Sequence, residues 1–108
     1  MAYGVLVTFI TVGSPDQAHG IAKALVEENL AACVNIVPSI RSIYRWKGEV
    51  CDDAECLLIA KTTPDVFPRL EARVKALHSY EVPEIIAIPV ERGYRPYLDW
   101  VEESIRKQ

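Results

Sequence analysis

From Val5 to Val12 the chain is apolar on both faces and rich in β-branched and aromatic residues, the pattern of a central strand covered at least partly on each side. Ser14-Pro15-Asp16-Gln17 then reads as a helix start, with Ser14 as cap, Pro15 at the first helical position and Gln17 closing a capping box. Ala18, Ile21, Ala22, Leu25 and Val26 recur at three- and four-residue steps and form one helical face. Glu27-Glu28-Asn29 ends it, with Asn29 as a left-handed cap.

Strand character returns over Ala32 to Trp46. Past Pro38, Ile40, Tyr44 and Trp46 share one face, and Arg41, Arg45 and Lys47 the other. Pro38 has no amide to donate and belongs at a bulge or an edge. Gly48 marks a turn, and Ala54 to Thr62 is the next strand; the pattern leaves open whether Val50-Cys51 joins it. Phe67, Leu70, Val74 and Leu77 make the stripe of a second helix, capped either by Thr63 or by Asp65, the latter putting Pro68 in the first turn. His78-Ser79-Tyr80 ends that helix, and Pro83 keeps Val82 out of helical conformation. Glu84 to Val90 is the fourth strand. Pro96 opens a last helix with Tyr97, Leu98, Val101 and Ile105 on its face and Arg106-Lys107 at its C-terminus.

The order strand, helix, strand, strand, helix, strand, helix contains the split βαβ arrangement. It predicts an α+β fold, a ferredoxin-like βαββαβ sandwich with an extra C-terminal helix and an extended hairpin between its second and third strands. Residues 1–108 form a single domain, with no internal linker and no sequence repeat.

One length is awkward. A domain of this size has a diameter of roughly 34 Å, whereas Cys33 to Trp46 as one unbroken strand spans about 46 Å. Either the strand bends at Pro38 and folds back on its own core, or its tip leaves the body and exposes Tyr44, Trp46 and unpaired edge amides that a partner subunit would cover.

The composition, 50% hydrophobic and 25% charged, excludes a disordered chain. A net charge of -3 and a longest basic run of Arg106-Lys107 argue against nucleic acid and anionic membranes as partners. The run from Val5 to Val12 is too short to span a bilayer, and Met1-Ala2-Tyr3-Gly4 has no basic segment, so the expected location is cytoplasmic. Cys33, Cys51 and Cys56 fit reduced thiols in that compartment.

Leu30-Ala31-Ala32-Cys33-Val34-Asn35-Ile36-Val37-Pro38, Ser42-Ile43-Tyr44-Arg45-Trp46-Lys47-Gly48, Lys61-Thr62-Thr63, Leu77-His78-Ser79-Tyr80-Glu81-Val82-Pro83-Glu84-Ile85 and Tyr97-Leu98-Asp99-Trp100 together resemble the divalent-cation tolerance CutA family, in order over almost the whole chain. The resemblance implies a ferredoxin-like homotrimer whose long strands pair between neighbours, and a role in tolerance of copper and other divalent metals. It also implies a trimer similar to that of the PII signalling proteins, and with it the alternative of a small-molecule sensor or signalling scaffold that binds a metabolite between subunits.

No pair of cysteines at metal-ligand spacing occurs, and His19 and His78 are the only histidines. Family members with proposed copper ligands carry a Cys near the end of the first strand and two adjacent histidines; here those places hold Val12 and Leu77, with His78 kept. No cofactor is required, and the expected metal is copper or another divalent cation, weakly bound or shared between subunits, through His78 with Glu84. The plainer role for His78 is capping the last helical turn. Tyr44, Trp46, Lys61, Tyr80 and Trp100 are the expected lining of an intersubunit cleft suited, with Glu84, to a small anionic or zwitterionic ligand. The alternative is that the aromatics pack an interface and Lys61 pairs with Glu84. Asp52, Asp53 and Glu55 read as a solvated acidic patch. No nucleophile–base pair or phosphate-cradling glycine loop is present, so no enzymatic activity is expected.

Overall fold

The computed structural model describes residues 4–106; Lys107, expected at the end of the last helix, lies outside them. The elements are β1 (Leu6–Val12), α1 (Pro15–Glu27), β2 (Cys33–Trp46), β3 (Glu49–Thr62), α2 (Phe67–Leu77), β4 (Ile85–Pro89) and α3 (Arg95–Arg106). The strands form one sheet in the order β2-β3-β1-β4, every neighbouring pair antiparallel. This is the ferredoxin-like sandwich with an added C-terminal helix.

Alternation within the strands sets the layers. Thr8, Ile10 and Val12 of β1 and Cys56, Leu58, Ala60 and Thr62 of β3 are almost completely buried, and they join Ala18, Ile21, Leu25, Leu70 and Val74 from α1 and α2 in the core. Val26, expected on the buried face of α1, is instead exposed. Ser14 caps α1 through Gln17 N at 3.2 Å. The reciprocal half of the expected box is not made, because the Gln17 side chain accepts from Ser79 Oγ instead. Asn29 takes the left-handed conformation, φ 60, that ends α1.

Neither Thr63 nor Asp65 caps α2 with its side chain. Pro64, Asp65 and Val66 make a turn in which the amides of Val66 and Phe67 donate to Thr63 O, and Pro68 falls inside the first helical turn. The helix is thereby launched by backbone bonds, which need no polar side chain.

The largest departure concerns β3, which begins at Glu49, not at Ala54. Lys47 and Gly48, with φ 51 and 84, form a two-residue turn with both residues left-handed, the geometry that matches the twist of paired strands. Pro38 and Ser39 together oppose Cys56, a bulge at the place the missing amide predicted. Beyond it Ile40–Trp46 pairs with Glu49–Glu55, while β1 ends at Val12 opposite Cys56. The result is a two-stranded ribbon that leaves the body. The bend at Pro38 does not fold it back: the molecule measures 43 × 26 × 24 Å, and Tyr44 and Trp46 are each 40% exposed.

Helix α3 buries Val101 and Ile105. Its Tyr97 hydroxyl lies 3.4 Å from the Cys33 thiol. Cys33 pairs with Lys61, on the face of the sheet opposite the buried Ala60 and Thr62. No helix among the described residues is long and apolar enough to cross a membrane.

Candidate functional site

Where the ribbon leaves the sheet, the segment after α2 runs alongside it. Between them lies a groove of about 750 Å³, lined from the ribbon by Arg41, Tyr44, Trp46 and Glu55 and from the segment by Ser79, Tyr80, Glu81 and Glu84. Its size falls in the range of small-molecule sites.

A short relay holds one wall. His78 follows the last residue of α2 and is buried. Its Nδ1 accepts the Tyr80 amide at 3.1 Å, which assigns the ring proton to Nε2, and Nε2 then donates to Thr11 O at 2.7 Å. The His78 and Tyr80 rings meet tilted at 47° with centroids 4.6 Å apart, and the Tyr80 hydroxyl donates to Glu55 Oε2 at 2.5 Å. Gly13 makes the room, since a Cβ there would stand 3.0 Å from the Tyr80 hydroxyl oxygen. Burial, and then the bond to Glu55, push the Tyr80 phenol well above its ordinary range. Tyr44 on the ribbon donates to Asp53 Oδ2 at 2.5 Å, and this bond is the main reason its phenol is pushed up from 10.0 to about 12.

Glu55 is the centre of the site. Only 7% of it is exposed, and among the described residues Tyr80 is its one hydrogen-bond donor and no cation reaches it. The neighbouring cations are engaged elsewhere. Arg41 holds Asp52 at 2.6 Å and Lys47 lies 3.8 Å from Glu81, while the more distant Lys61 donates to Asn35 Oδ1.

Of the residues expected from the sequence to line a cleft, one chain brings Tyr44, Trp46 and Tyr80 together, with Glu84 on the rim. It does not bring Lys61 or Trp100 there. Lys61 sits at the far end of β3, and Trp100, on α3, stacks with Tyr97 at 5.6 Å. The Lys61–Glu84 ion pair is therefore not formed within the chain, and the groove loses the cation that an anionic ligand would need. His78 and Glu84 do not make a metal centre within the chain either: both nitrogens of His78 are in use, and among the described residues no group of three His, Cys, Asp or Glu side chains is placed to hold a metal. A resident soft-metal ion does not fit this donor set.

The sequence places Glu55 in a solvated acidic patch with Asp52 and Asp53 and Arg41 only on a basic strand face, whereas in the structure Glu55 is buried. Glu55 reads as surface because it follows Asp52-Asp53; only the bulge, which fixes the register Ile40↔Glu55, puts it on the face of Tyr44.

Similarity to known proteins agrees with this architecture. The family described as "CutA1 divalent ion tolerance protein" matches residues 6–104. The "Divalent-cation tolerance protein CutA" of Thermus thermophilus is 62% identical over 98 residues, 91% of this chain and 95% of that protein. Mouse "Protein CutA" is 48% identical over 99 residues, 92% of this chain and 56% of that longer protein. The solved structure of a Thermus thermophilus divalent cation tolerance protein has a TM-score of 0.91 at 61% identity, covering 93% of this chain and 97% of its own. CutA1 from Oryza sativa gives 0.93 at 43% identity, covering 99% and 98%. A relative from Archaeoglobus fulgidus described as periplasmic gives 0.91 at 42% identity, covering 94% and 99%.

Proposed function

The chain belongs to the CutA1 divalent ion tolerance family, and from that premise we propose that it serves divalent-cation tolerance as a cytoplasmic, non-enzymatic homotrimer. The observation that carries the reading is the ribbon. It projects from the body with Ile43 and Val50 exposed, a surface that a lone chain leaves in water and a neighbouring copy would cover. Copper or a similar divalent ion is met weakly in this reading, between subunits, with Glu84 as a carboxylate ligand and His78 joining only by giving up Thr11. Light scattering is expected to return three times the 12.1 kDa of one chain. Titration calorimetry with Cu(II) is expected to show weak saturable binding that Glu84→Gln and His78→Ala both reduce. A monomer mass rejects the assembly, and no heat above dilution rejects the metal contact.

A second reading has its own support in the groove, whose volume and aromatic walls suit a small organic molecule better than a metal ion. In that reading the protein is a sensor or scaffold that binds a metabolite and signals to a partner. A ligand of the folded state raises the melting temperature by mass action, so a thermal-shift screen tests it.

A further inference from the structure

We propose that the groove beside the ribbon is a receptor for a small organic cation, with Glu55 supplying the counter-charge and Tyr44, Trp46 and Tyr80 the walls. The inference deepens the second reading above and rests on the groove being a ligand site.

The charge pattern sets the sign of the ligand. Three carboxylates, Glu55, Glu81 and Glu84, and one guanidinium, Arg41, line the groove. Arg41 is tied to Asp52 and Glu81 is matched by Lys47. What remains is Glu84 at the rim and Glu55 inside, neither with an ion-pair partner among the described residues. Glu55 is the informative one. The residue is only 7% exposed, a carboxylate so placed is costly to leave without a positive partner, and Tyr80 serves only its Oε2. Among the described residues Oε1 receives no hydrogen bond, and it is not one of the fully enclosed unsatisfied atoms, so it keeps access to the groove.

The walls set the class of cation. Aromatic faces attract ammonium and guanidinium groups but offer a divalent metal no ligand. Although Glu55, Glu81 and Glu84 all line the groove, no three His, Cys, Asp or Glu side chains among the described residues are placed together to hold a metal. A planar guanidinium or an alkylammonium satisfies Oε1 by charge-assisted hydrogen bonding, and its apolar stem lies along the ring of Tyr44 and, where Lys47 Nζ 5.6 Å from its centroid gives way, along that of Trp46. The relay Thr11–His78–Tyr80 fixes the wall beforehand and spares the ligand the cost of ordering it.

Calorimetry on the full chain with butylguanidinium and with its neutral isostere butylurea tests the proposal. Butylguanidinium is expected to bind saturably, roughly tenfold or more tighter than butylurea. Glu55→Gln is expected to remove that preference while leaving the far-ultraviolet dichroism unchanged. Should Glu55→Gln fold poorly, Tyr80→Phe serves instead. It keeps the ring and strips Glu55 of its only donor among the described residues, so binding is expected to hold or tighten. Equal binding of the two isosteres overturns the cationic class yet leaves the sensor reading standing, as does a thermal shift produced only by anionic metabolites. No binding of either compound, or a Glu55→Gln variant whose sole effect is loss of subunit association, overturns the receptor and assigns the counter-charge to a second copy. A flat metabolite screen as well would retire the sensor reading with it.

Discussion

At the scale of single residues, the site is organised by side chains whose roles depend on partners distant in sequence. His78 could be read from the sequence as the end of a helix, and its position after Leu77 bears that out. That its ring would bridge Thr11 and Tyr80 could not, because His78 and Thr11 lie 67 positions apart and are brought together only by the sheet. The tyrosines give this network a measurable signature. Tyr44, bonded to Asp53, and Tyr97, bonded to Cys33 and partly buried, are each pushed from 10.0 to about 12. A phenol that holds its proton longer when folded contributes stability that is complete below the unfolded value of about 10 and disappears as pH rises through the folded one. The melting temperature is therefore expected to fall between pH 10 and about 12. Tyr44→Phe and Tyr97→Phe should each flatten that fall, and ultraviolet titration of phenolate absorbance should lose late-ionising components in step, with Tyr80 left as the last phenol to ionise. A melting temperature that is level across this window would show that the phenols titrate alike in both states.

At the scale of elements, the hydrophobic pattern located every helix and strand among the described residues, and its largest miss is where polar residues sit in a strand that pairs with another strand alone. Asp52 and Asp53 have poor strand propensity, which is why the pattern starts the third strand at Ala54. In the ribbon they face Arg41 and Tyr44 across the ladder, at 2.6 and 2.5 Å, and cross-strand bonds of this kind outweigh propensity. The turn was legible as a turn through Gly48, but Lys47 carries no signal for a left-handed backbone. Its φ of 51 is imposed by the two-residue connection. Gly48→Val, at φ 84, should destabilise by about 1–2 kcal/mol, the cost of a side chain in this conformation. Lys47→Asn should raise the melting temperature, because Asn adopts the left-handed region readily. Thermal unfolding of the two variants beside the parent checks both signs. A silent Gly48→Val would mean that the ribbon contributes nothing to the cooperative unit.

At the scale of the whole molecule, the comparison of strand length with domain diameter left two outcomes, a strand bent back at Pro38 or a tip that leaves the body, and the structure takes the second. The radius of gyration of 14.3 Å exceeds the ~13 Å of a compact chain of this size, as a projecting ribbon requires. The same arithmetic is silent on how many copies meet, since any partner that covers the ribbon satisfies it. The proposed trimer can be dissected by asking which surface holds it. Ile43 and Val50 lie on one face of the ribbon, diagonal to each other across the ladder, and are 69% and 65% exposed in the single chain. In an isolated chain, replacing them by carboxylates costs within about 0.5 kcal/mol, as for other surface sites. In an assembly gripped by the ribbon, the same double change buries two unpaired charges and should split it. Ile43→Glu with Val50→Glu is therefore expected to drop the scattering mass to that of one chain with unchanged dichroism, while Val26→Glu, on the exposed face of α1, leaves the mass alone. A double variant that keeps the full mass would move the contact to the other exposed apolar surface of the sheet. That surface is the edge strand β4, where Ile86 and Ile88 are 54% and 55% exposed, and the ribbon would then be free to close over whatever the groove binds.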